Sequence, residues 1–153
     1  MSIGQICNRA TVIVRKEDSI TEAAKLMREF HVGSVVVVED ANGGLKPVGI
    51  LTDRDLVVEI MATELNPKAV RVGDIMSFEL TTAHEDDEMW DTLQRMRAKG
   101  VRRVPVINDQ EHLVGFLASD DLLEILADEL GQLVKIVNKG KQQEQTKRGN
   151  LYQ

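Results

Sequence analysis

A chain of 153 residues, 42% apolar and 29% charged, has the composition of a globular protein with room for one ordinary core. Its net charge of −6 argues against a general nucleic-acid binder, and a single cysteine, Cys7, excludes an intramolecular disulfide framework and fits a reducing cytoplasm. No apolar run approaches membrane-spanning length, and Met1-Ser2-Ile3-Gly4-Gln5 lacks a basic region followed by an apolar run, so neither export nor membrane insertion is expected.

Residues 11–15 form a β-branched run suited to a strand. A helix is expected from Ser19 to Phe30, with Ser19 and Glu22 as a capping box and Ile20, Ala24 and Met27 as its apolar stripe. Strands follow at Val35–Val38 and Val48–Leu51, joined by the turn composition Asn42-Gly43-Gly44, and a second helix covers Arg54 to Thr63. A linker around Pro67 leads to a strand at 80–83 and a helix from Glu88 to Lys99, with Met89, Leu93 and Met96 as its stripe and Gly100 as its stop. Strands at Val104–Ile107 and Leu113–Leu117 and a helix from Asp120 to Leu130 close the pattern. Beyond Gly131, Leu133, Val134, Ile136 and Val137 extend a helix, and the polar stretch Gly140–Gln153 is expected to fray. From Gln132 onward there are five basic residues and one acidic, which leaves −10 on the rest.

The order strand, helix, strand, strand, helix occurs twice. Gly49-Ile50-Leu51-Thr52-Asp53-Arg54-Asp55-Leu56 is echoed by Gly115-Phe116-Leu117-Ala118-Ser119-Asp120-Asp121-Leu122. A shift of 69 superimposes Ile3-Gly4-Gln5-Ile6 on Val72-Gly73-Asp74-Ile75 and Val32–Val37 on Val101–Val106, and three extra residues near Asn42 reduce the shift to 66 thereafter. Neither copy alone buries much surface. The expected fold is therefore α/β: two β-α-β-β-α units, residues 1–65 and 72–131, packed sheet to sheet with pseudo-two-fold symmetry. Residues 66–71 join them, and 132–153 form a helical extension and basic tail.

Two copies of Gly-apolar-apolar-Thr/Ser-x-x-Asp in such a unit resemble a pair of cystathionine beta-synthase (CBS) domains, over residues 3 to about 130. Asp74-Ile75-Met76-Ser77 and Val104-Pro105-Val106-Ile107 are similar to other signatures of that family. The resemblance implies two clefts that bind adenosine derivatives such as AMP, ADP, ATP or S-adenosylmethionine, and a role in sensing. With nothing appended to the pair, a stand-alone cytoplasmic regulator is expected.

In the first cleft the resemblance makes Asp55 the carboxylate for both ribose hydroxyls. Thr52 would meet phosphate with its hydroxyl beside free backbone amides at the positive end of a helix. It brings Ser77, Leu80 and Thr81 to the base, and Arg102, Arg103 and Pro105 to the start of a strand where guanidinium groups clamp phosphate. In the second cleft Asp121 keeps the carboxylate next to Ser119, with Thr11, Val12 and Val32 at the base. There Ala118 replaces the threonine, Asp120 adds negative charge, and Gly33 and Ser34 stand where the arginines would be. This cleft is expected to bind more weakly, to prefer an uncharged adenosine compound, or to stay empty. No cofactor is required, and magnesium is expected only alongside ATP.

Simpler readings stand beside these. Thr52 and Asp55 also make a capping arrangement, and Arg102-Arg103 also reads as a solvated strand end. Acidic residues in His84-Glu85-Asp86-Asp87-Glu88 are ordinary helix-start chemistry, so no metal site is expected there. Cys7 aligns with Met76 and reads as core. Trp90 lies about 100° from the Met89 stripe, where the first copy has Thr21, and is the candidate homodimer contact in a family whose pairs dimerise through their helices. No nucleophile set or phosphate-cradling glycine loop recurs, so an enzyme is not expected. The alternatives are an interaction or dimerisation module with vestigial clefts, a pair that binds S-adenosylmethionine or NAD(H), and a basic tail that touches nucleic acid or an acidic partner. The regulated protein is not legible here.

Overall fold

Valines make the central strands, Val35–Val38 in the first repeat and Val104 and Val106 about Pro105 in the second, because β-branched side chains suit a pleated surface covered on both faces. In the computed structural model, which describes residues 1–151, α1 (Ile3–Ile6) precedes β1 (Ile13–Arg15), α2 (Ile20–Phe30), β2 (Ser34–Ala41) and β3 (Gly44–Thr52). Next, α3 (Asp53–Asp55) continues as a π-helix over Leu56–Met61. The second repeat runs α4 (Val72–Ile75), β4 (Ala83–His84), α5 (Met89–Lys99), β5 (Arg103–Ile107), β6 (Leu113–Ala118) and α6 (Ser119–Leu151). Each repeat builds a three-stranded sheet, β1-β2-β3 and β4-β5-β6. β1 runs parallel to β2 and β4 parallel to β5, while β2 and β3 are antiparallel. Val35 to Val38 are all buried, and around them Val14, Ala23, Met27, Leu51, Val72 and Met76 form a core.

Asn42 and Gly43 carry the β2–β3 hairpin with φ of 46° and 85°, the two-residue turn whose twist matches paired strands. Ser19 caps α2, its Oγ accepting from the Glu22 N–H at 3.1 Å, but Glu22 turns to Lys25 at 3.7 Å instead of closing a capping box. The buried stripe of α2 is Ile20, Ala23 and Met27, with Ala24 exposed, which corrects the expected stripe. At 100° per residue Ala23 and Met27 lie on the same side of Ile20, and Ala24 lies on the other. The equivalent face of α5 is Met89, Thr92 and Met96, and Leu93 is only half-buried.

Two weaknesses follow from this packing. Thr92 is 1% exposed, and its hydroxyl has no hydrogen-bond partner among the described residues. Thr92→Val keeps the volume and removes the unsatisfied group, so urea unfolding should show about 1 kcal/mol of added stability. His31 ends α2 in the left-handed region, φ 54° and ψ 43°, where the second repeat has Gly100 at φ 68°. His31→Gly should raise stability by about 1 kcal/mol, seen as a melting midpoint about 2–4 °C higher.

The two repeats exchange their leading segments. The Ile3 and Gly4 amides donate to the carbonyls of Asp87 (2.8 Å) and Glu85 (2.7 Å), and Asn8 and Phe116 exchange backbone bonds at 2.9 and 2.8 Å. Reciprocally, the Val72 and Gly73 amides donate to Asp18 (2.9 Å) and Lys16 (3.0 Å), and Ser77 donates to the Ile50 carbonyl at 3.1 Å. Each leader thus crosses a strand of the other repeat at the motif glycine. A Cβ at Gly49 would sit 2.7 Å from the Ser77 carbonyl oxygen, and one at Gly115 would sit 2.6 Å from the Cys7 sulfur. Cys7 is only half-buried against that strand, whereas its repeat counterpart Met76 is in the core, which corrects the core reading; burial still pushes its thiol pKa up.

By contact the chain divides into Met1–Leu117 and the segment from Ala118 onward. The latter is essentially α6, which differs from expectation: it passes Gly131 and Gly140 without a break and reaches Leu151. Neither glycine takes a positive φ, so neither acts as a stop, and the Lys, Gln and Glu residues that follow are good helix formers. Tyr152 and Gln153 lie outside the described residues.

Candidate functional site

At the end of β3 the chain turns into α3 through a reciprocal pair: Thr52 Oγ1 accepts from the Asp55 N–H at 3.1 Å, and Asp55 Oδ2 accepts from the Thr52 N–H at 2.9 Å. The cap foreseen as the simpler reading is therefore present. It uses one carboxylate oxygen of Asp55, and among the described residues Oδ1 accepts no hydrogen bond, so a ribose diol still has an acceptor. The free amides expected here are taken. Asp53 N–H donates to the Gly33 carbonyl at 2.9 Å, Arg54 N–H to Asp53 Oδ1 at 2.8 Å, and Asp55 N–H to Thr52. A short helix caps its own donors, which leaves phosphate recognition to side chains.

Of the other residues assigned to this cleft, Ser77 is held against β3 by its bond to Ile50, two residues before Thr52. Pro105 is buried within β5, Arg103 opens that strand half-buried, and Arg102 is exposed just before it. Among the described residues neither guanidinium has a carboxylate within ion-pair distance. Thr81 is half-buried beside Leu80, and Leu80 also lines an open depression of about 330 Å³ with Lys46, Pro47, Val48 and Phe78.

The related position in the other repeat holds a smaller, better-defined cavity. Its volume is about 70 Å³, room for several water molecules, and its lining includes Asn8, Thr11, Val12, Val32, Ser34 and Phe116. Four of these, Thr11, Val12, Val32 and Ser34, are residues the sequence assigned to the second cleft. Asn8, Thr11 and Ser34 are the polar members of this lining, which includes no charged side chain, and Thr11 Oγ1 is buried without a partner among the described residues. The repeat offsets map Thr11, Val32, Ser34 and Phe116 onto Leu80, Val101, Arg103 and Ile50, so the two positions are twins that differ in charge. Asn8 and Phe116 escaped the sequence reading, although transferring Ser77 and Ile50 across the repeat would have located them.

In the segment from Ala118 onward, Asp121 Oδ2 accepts from the Ala118 N–H at 3.1 Å. This is half of the Thr52–Asp55 arrangement, and the missing half is the hydroxyl that Ala118 lacks. Ser119 is the first residue of α6. Elsewhere, His84 Nε2 lies 2.7 Å from Asp109 Oδ1, and Asp86 completes a group with metal-ligand spacing that the sequence did not foresee, because Asp109 comes from the turn after β5. Both carboxylates are largely exposed, and His84 Nδ1 already accepts from the Asp86 N–H at 3.1 Å. Burial would raise the Asp87 pKa, but its bonds to the His84 N–H and to Arg95, 2.8 Å away, prevail and hold it below the usual carboxylate value. Trp90 is 59% exposed.

Comparison with known proteins places this geometry in context. The CBS domain family matches twice, over residues 3–62 and 72–128. An uncharacterized protein of Methanopyrus kandleri is 34% identical over 125 residues, 82% of this chain and 62% of that protein, so this chain spans less than two thirds of that relative. The CBS domain-containing protein YhcV of Bacillus subtilis is 38% identical over 71% of this chain and 74% of its own. Among solved structures, the CBS domain pair of protein MJ0100 in complex with 5′-methylthioadenosine and S-adenosyl-L-methionine superimposes with a TM-score of 0.72 at 25% identity, covering 84% of this chain and 98% of that one. Hypoxic Response Protein I with two coordinated zinc ions gives 0.70 at 28% identity over 81% and 98%. Among the described residues no helix is long and apolar enough to cross a membrane.

Proposed function

The chain belongs to the CBS domain family as a tandem pair, and on that footing we propose that it is a regulatory module that binds an adenosine nucleotide at Asp55 and signals through the shape of the pair. What supports this reading is a set of unspent groups among the residues that the family resemblance assigns to the first cleft. Asp55 keeps one carboxylate oxygen in reserve beyond its cap, and Arg102 and Arg103 have no ion-pair partner among the described residues. Charge-assisted donors of this kind suit a phosphate, and a carboxylate suits a ribose diol. Bound ligand selects the shape it fits best, and a protein partner reads that shape.

The lack of any charged side chain in the lining at Thr11 favours a second ligand type, an adenosine compound without phosphate, only part of which would enter the small cavity. Support comes from the methylthioadenosine and S-adenosylmethionine bound by the related pair, both adenosine derivatives that lack phosphate. Titration calorimetry with AMP and adenosine separates the two sites. Arg102→Ala with Arg103→Ala should weaken AMP by about 10- to 100-fold and leave adenosine within about twofold, since hydrogen bonds to charged groups contribute about 1.5–3 kcal/mol. Equal loss for both ligands would show that the arginines do not read phosphate.

A further inference from the structure

We propose that α6 is a self-association surface on which two copies of this chain pair antiparallel. Leu123, Leu130, Leu133, Val134 and Val137 are each more than half exposed. At 100° per residue they fall within an arc of about 100°, an apolar stripe along one side of the helix. With the partly buried Leu126 the spacing is 123, 126, 130, 133, 137, alternating three and four as in helices that pair by interlocking side chains. Solvated helices do not maintain such a stripe over four turns without a partner.

The charges identify the occupant. Before the middle of the helix stand Asp120, Asp121, Glu124, Asp128 and Glu129 with no basic residue, and after it Lys135, Lys139, Lys141, Lys147 and Arg148 with only Glu144 opposed. The polarity reverses just after Leu130, the midpoint of the stripe from Leu123 to Val137. A second copy laid antiparallel about Leu130 sets Leu123 against Val137, Leu130 against itself, and the acidic stretch 120–129 against residues 131–140, whose only charged residues are Lys135 and Lys139. A parallel copy would set like charges together. Self-complementarity about one point is what a two-fold interface requires, and an unrelated partner imposes no such symmetry on both pattern and charge. The surface lies outside Met1–Leu117, the unit that carries Trp90.

Orientation is tested by disulfide cross-linking of the full chain, with Cys7→Ala removing the native thiol. Leu123→Cys and Val137→Cys are prepared as separate proteins, each checked for unchanged circular dichroism, and oxidised at low micromolar concentration alone and as an equal mixture. The mixture should give covalent dimers from up to about half of the chains, the share in which the two variants meet, and each variant alone should stay monomeric on a non-reducing gel. Cross-linking of Leu123→Cys or Val137→Cys by itself, or no cross-linking in the mixture, overturns the proposal.

Discussion

Gly49→Val should destabilise the protein by about 3 kcal/mol, at the upper end for overpacking substitutions. At this point of β3 a Cβ would stand 2.7 Å from the Ser77 carbonyl oxygen and 2.9 Å from the Met76 sulfur. The methionine side chain can move, but the Ser77 backbone cannot withdraw without losing its 3.1 Å bond to Ile50. The twin substitution Gly115→Val meets the Cys7 sulfur at 2.6 Å and the Asn8 carbonyl oxygen at 3.0 Å, and should have an effect of similar size. Urea unfolding reads both. A change under about 0.5 kcal/mol in either would mean that the crossing leader is not held against the strand.

Asp55→Asn and Asp55→Ala together separate the cap from the ligand. Asparagine retains a side-chain oxygen that can accept from the Thr52 N–H, so stability should stay within about 0.5 kcal/mol of wild type. It also replaces a negatively charged diol acceptor by a neutral amide, so nucleotide affinity should fall by about 10- to 100-fold. Alanine removes both functions and should cost about 1 kcal/mol of stability as well as the affinity. If the asparagine variant binds AMP like wild type, Asp55 is a capping residue only.

Much of this architecture is legible in the sequence because its determinants are local. The Asn42-Gly43 turn, the Ser19 cap and the valine strands each declare themselves within a few residues, and the repeat offset doubles every such signal. The leader exchange leaves no local pattern, since it consists of backbone bonds between residues far apart in the chain, such as Ser77 with Ile50 and Asn8 with Phe116. Its one trace in sequence is the recurrence of glycine at 49 and 115, whose necessity emerges only when the crossing chain is seen. The filled amides at Thr52 were hidden for a related reason: Asp53 reaches Gly33, a contact set by the pairing of β2 with β3. Gly131 and Gly140 misled because a glycine ends a helix only when its φ turns positive, and composition alone does not report φ. Thr11, Val12, Val32 and Ser34 were grouped from the sequence and do line one cavity, whereas Asn8 and Phe116 entered it by way of the exchange.

The most direct test of the central claim is a thermal-shift panel of AMP, ADP, ATP, S-adenosylmethionine and NADH on the wild-type chain. A nucleotide at 100 times its dissociation constant stabilises the fold by about 2.7 kcal/mol, which at this chain length raises the midpoint by roughly 5–10 °C. A rise of that size with at least one of the phosphate-bearing adenosine nucleotides, lost in Asp55→Asn, is the predicted result. A midpoint unmoved by every compound would contradict a nucleotide sensor and leave a protein-interaction module in its place.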